Sequence, residues 1–209
     1  MDIDVPDLIG ATGREVTSGE RDGQPVRAVR ATRTFATTVE DLWSAISDPE
    51  RLPRWFLPVT GDLQVGGRFQ IEGNAGGEVL VCDRPHRLEI TWEFGEQVSW
   101  VEVLLSPTDD GGTQLVLTHT APVDPHWGEF GPGAVGIGWE LALMGMVLHV
   151  RSGEAVDPAA VAAWQATPPA LELMRGSSDG WCRADIADGT PAADAEARAA
   201  RTLAAYTGG

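Results

Sequence analysis

Hydrophobic and polar residues alternate with two different periods along this chain, and the order of these periods predicts the fold. An extended segment over residues 27–37 comes first, and a two-part helical stretch over residues 39–56 follows it. About six further strands are predicted between residues 62 and 121, before one long apolar helix over residues 132–151. An antiparallel sheet can bury the apolar side of a single long helix only when that helix lies across one face of the sheet. The pattern therefore predicts an α+β fold, a curved antiparallel sheet wrapped around one long helix, with room for a small ligand between the layers.

Residues with known capping and turn preferences agree with this order of elements. Thr38 is predicted to cap the first helix, since its hydroxyl can accept a hydrogen bond from the backbone N–H of Asp41. Glycine pairs at 66–67 and 76–77 mark turns before strands, and the Asp-Asp-Gly-Gly sequence at 109–112 is a hairpin signal. Short strands at this spacing indicate an antiparallel meander rather than parallel crossovers.

Two segments flank the predicted sheet-and-helix domain of residues 27–151. Residues 1–26 are polar and rich in glycine, which predicts either a loose arm or a single added strand. Residues 152–209 are predicted to form a helical C-terminal extension. Within it, Ser177 is predicted to cap a short helix, and Thr190-Pro191 to start another, because proline fits the first helical position.

Three glycines, Gly136, Gly138 and Gly145, interrupt the apolar sequence of the long helix. Each costs about 1 kcal/mol relative to alanine inside a helix. Two interpretations stay open from the sequence. Either the glycines allow close packing against the sheet, or their missing side chains open space for a cavity.

The chain is strongly acidic, with a formal net charge of −16 from 31 acidic and 15 basic residues, and every basic residue is arginine. The absence of lysine excludes Schiff-base chemistry, and the negative charge argues against nucleic acids and anionic membranes as partners. No uninterrupted apolar run reaches the ~18 residues of a membrane span, and residues 1–4 lack the basic start of a signal peptide. We therefore predict a soluble, cytoplasmic protein without a membrane span.

Few residues follow a catalytic or metal-binding pattern. Cys82 and Cys182 lie far apart without CxxC spacing, and both are predicted to be free, buried thiols. The four histidines show no metal-ligand spacing, and the sequence contains no nucleophile elbow, phosphate loop or acid pair. The sequence therefore predicts neither a metal nor a cofactor.

Five ordered motifs resemble the activator of Hsp90 ATPase homologue-like (AHSA1-like) family, part of the SRPBCC superfamily with the START or Bet v 1-like helix-grip fold. They are residues 33–57 (RTFATTVEDLWSAISDPERLPRWFL), 65–69 (VGGRF), 83–92 (DRPHRLEITW), 112–119 (GTQLVLTH) and 138–139 (GW). The resemblance covers residues 27–151 and implies the helix-grip fold. What it implies about function is broader, because the family includes binders of lipophilic ligands and enzymes of cyclase or hydrolase type.

Two further features qualify this resemblance. Residues 180–206 resemble an extension found in a bacterial subset of the family. The eukaryotic Hsp90 activator has a separate N-terminal Hsp90-binding domain, which 26 polar residues cannot form. The family name therefore does not imply Hsp90 activation by this chain.

His119 is the main candidate for chemistry in the predicted pocket. If Leu117 faces the long helix, the alternation of the strand places His119 on the same face, together with Val103 of the neighbouring strand. An imidazole can donate, accept or transfer a proton near neutral pH, and inward-facing Glu78 or Glu140 would supply a carboxylate. The alternative is a structural histidine that completes the core through a hydrogen bond to a carbonyl.

Three hypotheses about function follow from these observations. The first is a protein that binds a small lipophilic or aromatic molecule in a cavity between sheet and helix. The second is an enzyme of polyketide-cyclase, hydratase or hydrolase type that uses His119. The third is a co-chaperone-like interaction protein that contacts its partner through exposed Trp100 and Leu104 or through the C-terminal helices. Each of the three hypotheses is compatible with a homodimer.

The resemblance also implies that Leu80, Cys82, Ile90 and Trp92 point inward. The predicted cavity residues are Trp55, Phe69, Ile71, Leu80, Trp92, Val103, Leu117, His119, Trp139, Leu143 and Met146.

Overall fold

The computed structural model describes residues 3–208, which form an antiparallel eight-stranded sheet and seven α-helices. The strands are β1 (Gly13–Arg21), β2 (Gln24–Phe35), β3 (Val59–Gly61), β4 (Arg68–Ile71), β5 (Gly76–Asp83), β6 (Arg87–Phe94), β7 (Gln97–Pro107) and β8 (Thr113–Pro122). The helices are α1 (Val5–Gly10), α2 (Val39–Ser47), α3 (Pro125–Phe130), α4 (Gly133–Ser152), α5 (Pro158–Gln165), α6 (Pro168–Ala187) and α7 (Ala192–Thr207). The strand order is β1-β2-β8-β7-β6-β5-β4-β3. The predicted α+β class, with an antiparallel meander before one long helix, is confirmed.

The predicted helical stretch forms α2 followed by a short 3-10 turn at Leu52–Arg54. Thr38 caps α2 as predicted, since its side chain accepts a hydrogen bond from the backbone N–H of Asp41 at 3.2 Å. Leu42 and Trp43 form the buried side of the helix. Burial of these apolar residues, rather than helix propensity, stabilises so short a helix.

Helix α4 is long and apolar enough to cross a membrane by length and composition alone, with a mean hydropathy of 1.5 over its apolar window. Of that window, 56% is buried inside the fold. A core helix of a soluble protein has these same properties, and here two ionisable residues, Glu140 and His149, are buried along it. Burial by the surrounding chain therefore accounts for the apolar character of α4.

The described chain groups into two compact units. The sheet unit contains residues 32–121 and 142–156, and the helical unit contains the residues up to 31, 122–141 and those from 157 onward.

In the sheet unit, the register of β7 against β8 follows the predicted alternation. Val101 lies opposite His119, Val103 lies opposite Leu117, and all four side chains are buried. We call the side of the sheet that carries them the inner face and the opposite side the outer face. Leu88 of β6 lies opposite Val103, which extends the inner face to the next strand.

A β-bulge in β5 changes the alternation expected there. Val79 lies opposite Ile90, whereas Val81 lies opposite Glu89, so Leu80 is the additional residue between the two pairs. Val79 is therefore the buried inner-face residue of this strand, and Leu80 is half-buried. Cys82 is exposed, so the prediction of a buried thiol at this position is wrong.

The helical unit corrects the prediction for the N-terminal segment. Residues 1–26 contain helix α1 as well as the added strand β1, and β2 already begins at Gln24. Asp4 caps α1 through a side-chain hydrogen bond to the backbone N–H of Asp7. No sustained 3.6-residue period predicts this helix, because six residues are too few to establish one.

The C-terminal extension is helical, as predicted, but its boundaries differ. Ser177 lies in the middle of α6 and does not begin a helix. Its hydroxyl donates a hydrogen bond to the Glu140 carboxylate at 2.8 Å and does not cap a helix. Helix α7 begins at Ala192, one residue later than predicted, and Pro191 occupies its N-cap position and not the first helical position. Its residues Thr202 and Tyr206 donate hydrogen bonds to the backbone carbonyls of Phe130 and Ala134, which fixes α7 against the start of α4.

Candidate functional site

The candidate site is built on the inner face of the sheet unit, where β6, β7 and β8 lie side by side. His119 of β8 is only 7% exposed, and its Nε2 lies 2.8 Å from Ser99 Oγ of β7. Ser99 Oγ in turn donates to the backbone carbonyl of Trp92 at 3.1 Å. The rings of Trp92 and His119 approach with centroids 6.1 Å apart and planes tilted by 59°. An imidazole, a hydroxyl and an indole therefore form one polar and aromatic group on an otherwise apolar surface.

Burial determines the protonation of His119, and the hydrogen bonds of Ser99 indicate which atom of the pair donates. Burial lowers the pKa of His119 from its ordinary 6.5 to about 4, because the charged imidazolium loses its hydration. The ring is therefore neutral at pH 7. The single hydroxyl proton of Ser99 is directed at the Trp92 carbonyl, so His119 Nε2–H donates to Ser99 Oγ in this arrangement.

The inner face is covered unevenly. On β7 and β8, Val101, Val103 and Leu117 are all at most 8% exposed. On β6, the inner-face residues Leu88 and Ile90 and the Trp92 indole keep partial solvent exposure. Large apolar side chains therefore remain accessible along β6, directly beside buried His119 and half-buried Ser99.

A small apolar cluster borders this accessible strip. It consists of buried Phe69, Ile71 and Val79, and the partly buried side chains that pack against it include Leu88, Ile90 and Trp92. The cluster is the reason that β4 and β5 lie against β6 with their apolar sides aligned. Seven partly buried apolar residues contact it in all, namely Phe56, Leu57, Val59, Leu63, Leu88, Ile90 and Trp92.

The other predicted cavity residues fall into two groups. Leu143 and Met146 of α4 are each 3% exposed and belong to the core. Trp139 and Trp55 are half-buried. The Trp55 indole donates a hydrogen bond to the Ala45 carbonyl at 2.8 Å and contacts the Phe56 ring with centroids 5.4 Å apart. These contacts give the Trp55 side chain a structural role.

The glycines of α4 allow close packing, so the interpretation that they open a cavity is wrong. A Cβ at Gly136 would lie 2.2 Å from the Trp181 ring, and one at Gly145 would lie 2.6 Å from the backbone oxygen of Trp55. A Cβ at Gly138 would lie 3.1 Å from the Tyr206 hydroxyl. These contacts come from helices and from the segment after α2, and not from the sheet as the sequence suggested.

Glu78 lies on the opposite face of the sheet from His119, and Glu140 is committed to partners within its own unit. Glu78 lies opposite Arg68 in the β4–β5 pair, and the residue after Arg68, Phe69, points to the buried side. Arg68 and Glu78 are therefore on the outer face, and the predicted inward orientation of Glu78 is wrong. Glu140 is 6% exposed and belongs to an ion pair with Arg14, whose Nε and Nη2 donate to its two oxygens at 2.7 and 2.6 Å.

The Glu140 carboxylate has further partners within the helical unit. Oε1 also accepts hydrogen bonds from Trp181 Nε1 at 2.7 Å and from Ser177 Oγ at 2.8 Å. Arg14 Nη1 additionally donates to the Thr12 carbonyl at 2.9 Å. A buried charge needs this degree of hydrogen bonding, so the role of Glu140 is to hold α4, α6 and the N-terminal segment together.

Sequence reasoning missed a second buried histidine, His149 of α4, which is 0% exposed. Its Nδ1–H donates to the Glu154 carbonyl at 2.7 Å, and its Nε2 accepts from Arg51 Nε at 3.0 Å. Arg51 Nη1 also donates to Asp41 Oδ1 at 2.8 Å, and this hydrogen bond lowers the pKa of Asp41. With both ring nitrogens engaged by its own unit, His149 is structural.

Two further residues were also missed, Ser99 in the candidate site and Arg33 in β2. Ser99 gave no signal, because a serine in an alternating strand is as common on a solvent face as on a buried one. Arg33 of β2 is 4% exposed and lies on the same buried side of the strand as Ala31 and Phe35. The burial of Arg33 could not be predicted because arginine is almost always exposed. Among residues 3–208, no three His, Cys, Asp or Glu side chains are grouped to hold a metal ion.

Comparison with known proteins identifies relatives of this fold. No curated protein matches the chain. The crystal structure of CalU16 from Micromonospora echinospora is 29% identical with a TM-score of 0.67, and the match covers 83% of this chain and 98% of that one. The solution NMR structure of CalU16 is 32% identical with a TM-score of 0.69, covering 86% and 97%. Protein MLL2253 from Mesorhizobium loti is 26% identical with a TM-score of 0.52, covering 60% and 98%.

These matches differ in how much of the chain they cover. The similarity to CalU16 covers more of the chain than residues 27–151, so it includes part of the N-terminal segment or the C-terminal helices. The family model for activator of Hsp90 ATPase homolog 1-like proteins matches residues 36–150, which is more than half of the chain. The chain therefore belongs to the activator of Hsp90 ATPase homolog 1-like family, with the helix-grip fold.

Proposed function

We propose that this protein binds a small lipophilic or aromatic molecule on the inner face of the sheet unit, within the domain of residues 27–151. The ligand would lie along β6 against Leu88, Ile90 and Trp92, with the His119–Ser99 pair at one end. The arm of residues 1–26 and the extension of residues 152–209 would contribute no side chain to this site.

The observation that carries the proposal is the partial exposure of the inner-face residues of β6. Side chains of this size are normally covered completely in a core, as Val101 and Val103 on the neighbouring strand are. Their accessibility, next to a neutral imidazole and a hydroxyl, gives the combination typical of small-molecule sites: an apolar surface with a few fixed polar groups. Membership in a helix-grip family agrees with a binding role but does not specify a ligand.

The enzyme hypothesis has one specific observation in its favour, the 2.8 Å contact between His119 Nε2 and Ser99 Oγ. Such a distance would allow the imidazole to act as a base toward the hydroxyl. A pKa near 4 makes His119 a weak base, however, and the Ser99 proton is directed at a carbonyl. Binding is therefore the better-supported function.

We further propose that the protein acts in the cytoplasm. Cys82 is an exposed free thiol and Cys182 is a half-buried one, and free thiols persist in a reducing compartment. Either a monomer or a homodimer is compatible with the proposed site.

Two matched leucine variants test the proposal. Leu88 on the inner face and Leu104 on the outer face are both half-buried, and they occupy adjacent positions in the β6–β7 pair. N-phenyl-1-naphthylamine is a neutral probe whose fluorescence increases in apolar surroundings. Leu88→Asn should weaken its binding about tenfold or more, because a polar amide without a partner is costly in an apolar site.

The control variant Leu104→Asn should bind the probe as the wild type does, and circular dichroism should show that both variants are folded. An unchanged affinity in Leu88→Asn would refute the proposed site. A selective loss in Leu104→Asn would instead place the apolar binding surface on the outer face, as the interaction-protein hypothesis requires.

A further inference from the structure

The hydrogen bonds of Ser99 indicate which chemical group a ligand presents to the polar end of the site. Ser99 is half-buried on the inner face, directly across the β6–β7 pair from Trp92. Its hydroxyl contacts His119 Nε2 at 2.8 Å and the Trp92 carbonyl at 3.1 Å. A hydroxyl has one proton to donate and two lone pairs that accept, so its remaining capacity can be counted.

In the arrangement described above, Ser99 donates its proton to the Trp92 carbonyl and accepts one hydrogen bond from His119. One lone pair of Ser99 Oγ is then left for a ligand. In the reverse arrangement, Ser99 donates to an unprotonated His119 Nε2, and both lone pairs are left. In either case Ser99 can only accept a hydrogen bond from a ligand, because its single proton is already donated to a protein atom.

The surroundings of Ser99 restrict the donor that can use this lone pair. Beside it lie the Trp92 indole and buried Val101, and the chain carries a net charge of −16. A cationic donor would be attracted by the overall charge but would lose its hydration next to an apolar surface and a neutral imidazole. A neutral hydroxyl or phenol loses far less, and an aromatic ring that carries it can lie against the accessible indole of Trp92.

We propose that the site takes a neutral aromatic ligand with a hydroxyl group, and that Ser99 Oγ accepts the hydrogen bond of this hydroxyl while the ring lies against Trp92. This inference rests on the proposed function and defines its ligand class. Ser99 is then the residue that determines specificity, and His119 is a positioning residue that holds the Ser99 hydroxyl in place.

Two compounds of nearly equal size test the inference. 2-Naphthol can donate a hydrogen bond, whereas 2-methoxynaphthalene has the same ring system and can only accept. Binding of each is measured by isothermal titration calorimetry and by displacement of N-phenyl-1-naphthylamine. The wild type should prefer 2-naphthol about 3- to 10-fold, which corresponds to one net hydrogen bond.

Three serine variants identify the acceptor. Ser99→Ala should bind both compounds with equal affinity, since the acceptor is lost. Ser99→Thr keeps a hydroxyl at the same position and should restore the preference. Ser106→Ala removes an exposed hydroxyl from the same strand and should leave the preference unchanged.

The possible results separate this inference from the proposed function. Equal affinities of the wild type for both compounds would overturn the inference while leaving the binding site in place. The same is true of a preference that survives in Ser99→Ala. If neither compound binds although N-phenyl-1-naphthylamine does, this inference alone is overturned; if the probe does not bind either, the proposed function fails and this inference fails with it.

Discussion

Acidification provides a direct test of the environment that the fold imposes on His119. Burial holds the pKa of His119 at about 4 in the folded protein, compared with 6.5 for an unperturbed histidine. The unfolded chain therefore binds a proton at this residue at pH values where the folded protein does not. The stability associated with the neutral imidazole is complete above about pH 6.5 and is lost as the pH falls from there to about 4.

The magnitude follows from the separation of the two pKa values. Each pKa unit corresponds to about 1.4 kcal/mol, so complete protonation would cost roughly 3 kcal/mol in the free energy of unfolding. Between pH 7 and pH 5, the range above the isoelectric point of about 4.5, the loss from His119 alone should be about 2 kcal/mol. Other titrating groups add their own pH dependence, so a comparison between variants is needed.

The assay is urea unfolding, followed by tryptophan fluorescence at pH 7, 6 and 5. His119→Gln keeps an amide that can bond to Ser99 but has no group that titrates, so it should lose about 2 kcal/mol less than the wild type over this range. His126→Gln removes an exposed histidine and should follow the wild type. Parallel losses in the wild type and in His119→Gln would refute the assignment of a buried, neutral imidazole.

Two further predictions concern the glycines of α4. Gly136→Ala should destabilise the protein by about 1–3 kcal/mol in urea unfolding, because its Cβ would overlap the fully buried Trp181 ring and overpacking outweighs the gain in helix propensity. Gly145→Ala should also destabilise, by about 1–2 kcal/mol, since its Cβ meets the Trp55 carbonyl oxygen; stability equal to the wild type would revive the cavity interpretation. Gly128→Ala is the control for both, because its Cβ meets nothing within 4 Å, and it should be neutral or stabilising by up to about 1 kcal/mol.

The parts of the fold that sequence predicts well are those with a long, regular period. The β7–β8 hairpin contains enough alternating positions that the side facing the core is determined by the pattern itself, and the long apolar sequence of α4 predicts a buried helix. The orientation of His119 followed correctly from this pattern, together with that of Leu117 and Val103.

Features that depend on contacts between distant residues could not be predicted. The bulge at Leu80 adds one residue to a strand without changing its composition, so the alternation gives no sign of it. Helix α6 continues through Gly176 and Gly180, where local propensity favours a break, because Ile9 and Arg14 pack closely against these two positions. The role of Ser99 depends likewise on the pairing of β6, β7 and β8, since only that pairing brings its hydroxyl to His119.

Intermolecular NOEs between the protein and bound 2-naphthol test the central claim, which is that a small aromatic molecule binds along β6 on the inner face. Aromatic protons of the ligand should show NOEs to the methyl groups of Leu88 and Ile90 and to the indole of Trp92. Leu104 on the outer face should show none. NOEs to Leu104 together with none to Leu88 and Ile90 would contradict the proposed site.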